Sequence, residues 1–253
     1  MIDLKLGDCL DVMKSIPSNS IDLTVTSPPY DNLRTYNGYT FDFEGIAQEL
    51  YRVTKDGGVV VWIVGDATIK GSETGTSFRQ ALYFMECGFN LHDTMIYQKQ
   101  NYIPLTHNRY EQEFEYMFVF SKGKPKFFNP IKINSKHAGT KKWGTPSFYK
   151  NDNGDLFEVK NTIVNDKKIK GNIFCYLVGS SEGDKLAKKH PARFPEQLAH
   201  DHIISWSNEG DTVLDCFLGS GTTGKMAKQL NRNFIGIEIS QEYLDIAKER
   251  IGL

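Results

Sequence analysis

The stretch VLDCFLGSGTTGKMA, residues 213–227, decides the fold. It opens as an apolar run suited to a strand, closes with residues spaced for a helix, and joins the two through Gly219, Gly221 and Gly224. Those glycines satisfy G-x-G-x-x-G in the strand–loop–helix context that gives the pattern meaning. Glycine permits a tight turn and close approach of a ligand, and a helix N-terminus behind the loop favours negative charge. Glu238 ends the next expected strand, placed to accept hydrogen bonds from ribose hydroxyls.

A nicotinamide-binding loop normally has its first glycine at the strand end and no acid within the strand. Here Asp215 precedes Gly219 by four residues. A carboxylate at that point repels a pyrophosphate and suits a ligand carrying an ammonium or sulfonium group. S-adenosylmethionine has both, with an adenosine whose ribose Glu238 could hold. The competing reading makes Asp215 and Glu238 strand-end carboxylates that only cap a loop or helix.

Working outward, regular alternation surrounds this unit. A helix is expected over Pro195–Ser207, then strand Thr212–Cys216, helix Thr223–Leu230, strand Phe234–Ile239 and helix Gln241–Arg250. Toward the N-terminus, Ile2–Leu6, Ile21–Thr26 and Val59–Val64 read as buried strands, the last introduced by a turn at Asp56-Gly57-Gly58. Cys9–Ile16, Phe43–Val53 and Phe78–Cys87 have helical apolar spacing, and His92–Tyr97 and Phe114–Phe120 read as strands able to pair antiparallel. Strands alternating with helices predict an α/β fold with a mainly parallel sheet covered on both faces.

At 253 residues the chain suffices for one large domain with an inserted lobe. With 40% hydrophobic and 24% charged residues it has an ordinary globular composition. No apolar run reaches spanning length, and MIDLKLGD carries no signal-peptide pattern, so no membrane association is expected. Cys9, Cys87, Cys175 and Cys216 form no C-x-x-C pair, which argues against a zinc site and a disulfide framework and fits a reducing cytoplasm. No metal is expected.

The formal charge of -1 hides an asymmetry. Residues 121–190 hold 15 lysines, no arginine and 6 acidic residues, a net of +9, which leaves -10 on the rest. The segment is either a solvated loop region or a lobe that meets a polyanion. Isolated aromatics, Trp143 and Phe148 among them, read as contacts or as a small local core. The expected organisation is a catalytic part over 1–120, a Lys-rich insertion over 121–189 and a cofactor-binding part over 190–253.

One further stretch needs an account. In TVTSPPYDN, residues 24–32, two prolines end the strand and fix two φ angles, so Ser27 and Tyr30 flank a rigid corner. At this point the sequence resembles the β-type amino-methyltransferases of DNA, in which the catalytic motif precedes the cofactor loop. Ser27-Pro28-Pro29-Tyr30 matches the family's catalytic tetrapeptide, and Asp215-Cys216-Phe217-Leu218-Gly219-Ser220-Gly221-Thr222-Thr223 its cofactor loop. Ile237-Glu238-Ile239 matches the ribose-binding strand end, and Gly7-Asp8-Cys9-Leu10 the adenine-side contact. His190-Pro191-Ala192-Arg193-Phe194-Pro195-Glu196-Gln197-Leu198 matches the segment that closes over the methionine moiety. The five motifs span nearly all of the chain outside the Lys-rich insertion.

The resemblance implies a seven-stranded, Rossmann-like sheet with Ile2–Leu6 beside Phe234–Ile239, and a target-recognition role for the insertion. It implies Ser27, Pro28, Pro29 and Tyr30 as catalytic residues. Asp8, Cys9, Ser27, Arg193, Phe194, Asp215, Phe217, Gly219, Ser220, Gly221, Thr222, Thr223, Glu238 and Ile239 are the implied contacts to S-adenosylmethionine. Ser27 Oγ and the Pro28 carbonyl would accept hydrogen bonds from an exocyclic base amine, and the Tyr30 ring would stack on a flipped base. A core aromatic after a turn is the other reading of Tyr30.

Serine at the first position, and the His-Pro-Ala-Arg-Phe-Pro form of the closing segment, point to cytosine N4 rather than adenine N6. C5-cytosine chemistry is not expected, since no cysteine follows a proline. Asn101, Tyr102, His107 and Arg109 are candidate lid residues, with a solvated loop as the alternative for His107. The implied substrate is double-stranded DNA, in restriction-modification or phage protection, and the family allows a cognate restriction endonuclease and a homodimer as partners. Adenine N6 methylation of DNA by the same fold, an RNA substrate, and binding without catalysis are the competing functions.

Overall fold

A computed structural model describes residues 1–29, 41–102, 108–140, 147–150, 153–159, 163–178 and 194–253, with 147–150 and 157–159 described by their backbone alone. The chain divides into two compact units, Met1–Asn129 with Asn172–Leu253, and Pro130–Gly171.

The larger unit is built on an eight-stranded sheet. In chain order its strands are β1 (Ile2–Leu6), β2 (Ile21–Thr26), β3 (Thr54–Val64), β6 (Asn90–Lys99), β7 (Phe114–Ser121), β12 (Ile173–Tyr176), β13 (Thr212–Asp215) and β14 (Asn233–Glu238). A small ribbon of β4 (Thr68–Ile69) and β5 (Ser72–Glu73) follows β3. The sheet order is β1-β14-β13-β2-β3-β7-β6-β12. Every neighbouring pair is parallel except β3/β7 and β7/β6, so only β7 runs against the rest.

The expected pairing of the two chain ends is present, with Ile2 opposite Phe234 and Leu6 opposite Glu238. The sheet has one strand beyond the seven expected. Residues 173–176 lie in the Lys-rich stretch, and Ile-Phe-Cys-Tyr is apolar at all four positions, so no alternation marks it. Only pairing to β6 at the sheet edge sorts the side chains, burying Phe174 and Tyr176 and exposing Ile173 and Cys175.

Helices cover both faces. α1 (Cys9–Met13), α2 (Phe43–Val53) and α3 (Thr76–Glu86) pack in sequence on one side; α4 (Glu196–Trp206), α5 (Thr222–Gln229) and α6 (Gln241–Ile251) pack on the other. All six residues of β2 are buried, as a central strand covered twice requires. The core under α2 and α3 is aromatic: Phe84 stacks on Phe120 with centroids 4.6 Å apart, and the Trp62 indole donates to Gln80 Oε1 at 2.9 Å.

Asp56-Gly57-Gly58, read above as the turn before a strand, lies inside β3. The strand starts at Thr54, and its register to β2 slips between Ile21 and Leu23. Gly57 takes φ 78°, so the extra residues are absorbed as a bulge and not as a reversal.

The smaller unit contains two antiparallel ribbons, β8 (Lys132–Asn134) with β11 (Lys167–Ile169), and β9 (Ser147–Lys150) with β10 (Leu156–Val159). Its two ends meet where Lys170 N donates to Ile131 O at 2.9 Å. This unit is narrower than the 121–189 insertion expected from the sequence. Residues 121–129 belong to the larger unit, where Asn129 N donates to Ser205 O and Lys122 bonds the carbonyls of Tyr51 and Thr54. So does 172–178, which contains β12.

Candidate active site

The carboxyl ends of the parallel strands β14, β13, β2 and β3 lie along one edge of the sheet, and three sequence-distant motifs converge there. Asp215 is the last residue of β13, next to β2 through the Val213–Leu23 and Leu214–Thr24 pairs. Thr26, the last residue of β2, donates its hydroxyl to Asp215 Oδ1 at 2.6 Å. Ser27 and the buried Pro28 follow Thr26 directly, so one hydrogen bond ties the Ser-Pro-Pro corner to the acid of the glycine loop. Thr26 was not singled out above. Its only sequence signal is a polar residue closing an apolar run.

Asp215 is only 1% exposed. Its carboxylate also accepts from Phe217 N at 3.1 Å and from the Thr223 hydroxyl, which is shared with the Val25 carbonyl. Burial outweighs these donors and pushes its pKa up to about 6, and the charge of Glu238 pushes the same way. Glu238 is 8% exposed and is also raised by burial, although Oε2 accepts from Gly219 N at 2.8 Å and Oε1 from Ser240 N at 2.9 Å.

Among the described residues neither acid has a cationic partner. Two buried carboxylates without a counter-cation favour a ligand that brings positive charge. Glu238 keeps acceptor capacity beyond its three backbone donors, Gly219, Ile239 and Ser240, as a ribose diol would need. This pair of buried acceptors therefore fits an adenosyl group bearing a sulfonium.

The glycines of the loop have separate tasks. Gly219 carries the amide that reaches Glu238. A Cβ on Gly221 would stand 2.9 Å from Ala247 Cβ on α6, at φ 80°. A Cβ on Gly224 would meet Phe234 at 2.6 Å and Ile251 at 2.7 Å. Gly221 and Gly224 thus allow α5 to lie close to α6 and β14, whereas Gly219 serves the site edge.

The Gly7-Asp8-Cys9 stretch lies beside the end of β14. Gly7 N donates to Glu238 O at 2.9 Å, and Asp8 caps α1 by accepting from Leu10 N and Asp11 N. Cys9 is buried in the same core cluster as Cys216. Burial pushes the Cys216 thiol well up, so it is held protonated, with Sγ 3.9 Å from Thr26 Oγ1. Phe217 is partly buried against the aromatic core, its ring 5.7 Å from Phe41 and 6.2 Å from Trp62. Ile239 is half exposed beyond Glu238, and Phe194 is partly buried just before α4. Tyr30, Arg193, His107 and Trp143 lie outside the described residues.

A cleft of about 350 Å³ opens beyond the end of β3, lined by Gly65, Asp66, Glu73, Arg109, Tyr110 and Phe114 among others. Two of the candidate lid residues are used to hold chain segments together. Asn101 bonds reciprocally with the backbone of Val178, at 2.7 and 2.6 Å, and Arg109 donates to Gly71 O. Among the described residues no group of three or more metal-ligating side chains occurs.

The sequence matches the DNA methylase family of N6 and N4 enzymes over residues 21–249. It is 56% identical to the orphan methyltransferase M.BamHII of Bacillus amyloliquefaciens over 249 residues, covering 97% of this chain and 90% of that protein. The type II methyltransferase M.SmaI of Serratia marcescens is 26% identical over 97% of this chain and 89% of its own. Among solved structures, an M1.HpyAVI–SAM complex superposes with TM-score 0.67 at 25% identity over the whole of both chains. The PvuII DNA methyltransferase (cytosine-N4-specific) superposes with TM-score 0.72 at 23% identity, covering 98% of this chain and 86% of that one.

Proposed function

The chain is a DNA amino-methyltransferase of the N6/N4 DNA methylase family, and from that premise we propose that it methylates the N4 amine of a flipped cytosine at a specific double-stranded site. The observation that carries this reading is the 2.6 Å bond from Thr26 to Asp215. It holds an amine-orienting corner beside a buried acid suited to a sulfonium. A binding-only protein has no need of that pairing.

S-adenosylmethionine supplies an electrophilic methyl group on a cationic sulfur. Asp215 and Glu238 would favour it through charge and the ribose, with Asp8, Cys9, Ser27, Phe194, Phe217 and the Gly219–Thr223 turn around them; Arg193 and Ile239 complete the set the family resemblance implies. A base amine is a poor nucleophile because its lone pair is delocalised into the ring. Ser27 Oγ and the Pro28 carbonyl would each accept a hydrogen bond from one of its N–H groups, favour the pyramidal attacking form and hold nitrogen in line with the methyl. An oriented hydrogen bond in a dry site is worth about 3 kcal/mol of barrier. Transfer would break the methyl–sulfur bond and leave a neutral thioether, and the nitrogen, cationic once methylated, would lose one proton to solvent, so no strong base is needed. Tyr30 provides the stacking face for the flipped base.

Ser27 is the support for cytosine over adenine. The smaller, Lys-rich unit would grip phosphates and set register on the duplex. Protective methylation follows, alone or beside a cognate restriction endonuclease. Digesting methylated DNA to nucleosides and weighing them tests the base: N4-methylcytosine is expected, and N6-methyladenine alone would overturn the assignment. Ser27→Ala should slow methyl transfer by a hundredfold or more, on the order seen when an oriented donor or acceptor is removed. Calorimetric cofactor affinity should fall far less than the rate, and wild-type turnover would sink the proposed role.

A further inference from the structure

Arg250 sits in the last turn of α6, remote in sequence from every motif above, yet its side chain is only 2% exposed. A buried guanidinium is costly unless its donors are paired. The ordinary task for an arginine here, satisfying the carbonyls at the helix C-terminus, belongs to another residue: Lys228 Nζ bonds Ile251 O at 2.8 Å and Gly252 O at 2.9 Å. Arg250 reaches instead across to the cofactor loop. Nη1 donates to the Ser220 carbonyl, to Ser220 Oγ at 3.0 Å and to Thr222 Oγ1 at 3.2 Å.

Its other arm joins a second element. Nη2 donates to Glu196 Oε1 at 3.0 Å, and Lys225 of α5 meets the same oxygen at 2.6 Å. Glu196 is the first residue of α4, two positions after Phe194. One guanidinium thus spans the cofactor turn and the point where the closing segment enters its helix. Because the Ser220 and Thr222 hydroxyls accept from Arg250, their own protons point elsewhere and remain available as donors.

We propose that Arg250 and Glu196 act as a positioning clamp, holding the Ser220–Thr222 turn and the start of α4 as one unit so that the cofactor site is preformed. This rests on the methyl-donor reading above. Neither residue touches the reacting atoms; both act through the loop and the helix start they join.

The test uses the full chain and its Arg250→Ala, Arg250→Lys and Glu196→Gln variants. S-adenosylmethionine binding is measured by calorimetry, and kcat and KM with DNA and varied cofactor. Arg250→Ala should weaken binding on the order of tenfold, the loss expected for hydrogen bonds to a charged group, with KM rising more than kcat falls. Arg250→Lys should recover part of the affinity, since it restores the charge facing Glu196 but not the fork to the turn. Glu196→Gln should shift affinity in the same direction by less. A lower melting temperature with wild-type affinity in the folded variants would reduce the network to stability alone and overturn the clamp. If Arg250→Ala does not fold, unchanged affinity in the other two overturns it equally. Amide hydrogen exchange at Gly221 and Thr222 without cofactor separates the two readings. A wild-type chain that binds no S-adenosylmethionine would sink the methyl-donor reading. The clamp would still be judged by faster exchange in the variants, and unchanged protection would refute it.

Discussion

Asp215 is a carboxyl group whose ordinary pKa near 3.8 is pushed up to about 6 by burial. The sign of its effect on the fold is therefore the reverse of that for a salt-bridged aspartate. Between about pH 4 and 6 the folded chain holds a proton that the unfolded chain has released. This group's contribution to stability thus falls as pH rises through that window. For a cationic ligand the direction is opposite, because binding favours the ionised acid. S-adenosylmethionine affinity should weaken by up to about tenfold per pH unit below 6, and binding near pH 6 should release protons to the buffer. Asp215→Asn should bind more weakly at neutral pH and lose that pH dependence. Calorimetry in buffers of different ionisation enthalpy checks both, and a pH-independent wild-type affinity would remove Asp215 from the sulfonium side. The acid and the serine corner are legible residue by residue. The donation from Thr26 is not, because nothing local signals a contact across 189 positions.

At the scale of elements, strands and helices of the larger unit follow the apolar periodicity closely. α6, expected over Gln241–Arg250, ends one residue later, where Gly252 at φ 75° stops it. Failures cluster where local pattern carries no direction. α1 stops at Met13, short of the expected Ile16, and β12 is a four-residue edge strand inside a polar stretch. The glycine loop illustrates a subtler limit. G-x-G-x-x-G reads as ligand approach, yet Gly221 and Gly224 answer to packing of α5 on α6 and β14. Gly224→Ala should therefore destabilise the fold by about 1–3 kcal/mol through overpacking against Phe234 and Ile251. Thermal unfolding would register this as a drop of roughly 3 °C per kcal/mol for a chain of this size. An unchanged melting temperature would mean that α5 can shift without cost.

At the scale of the whole molecule, the chain crosses the sheet so that its two ends pair as β1 and β14 while the Lys-rich unit closes on itself at Ile131 and Lys170. Replacing 132–169 with a short turn should leave cofactor affinity within about twofold and lower DNA affinity by on the order of tenfold or more. The dependence of binding on salt should flatten as phosphate contacts are lost. Filter binding over a salt series measures both, and an unaltered slope would move the phosphate contacts elsewhere. By itself the sequence determined the α/β class, the loop, the rigid corner and the family to which they belong. Each is written in a short window, through periodicity, proline geometry and glycine spacing. Only the tertiary structure decided that Thr26 anchors Asp215, that Phe217 packs against the aromatic core and that Arg250 joins the Ser220–Thr222 turn to α4. Those contacts link residues from 28 to 189 positions apart, and only the sheet order and helix packing bring them together.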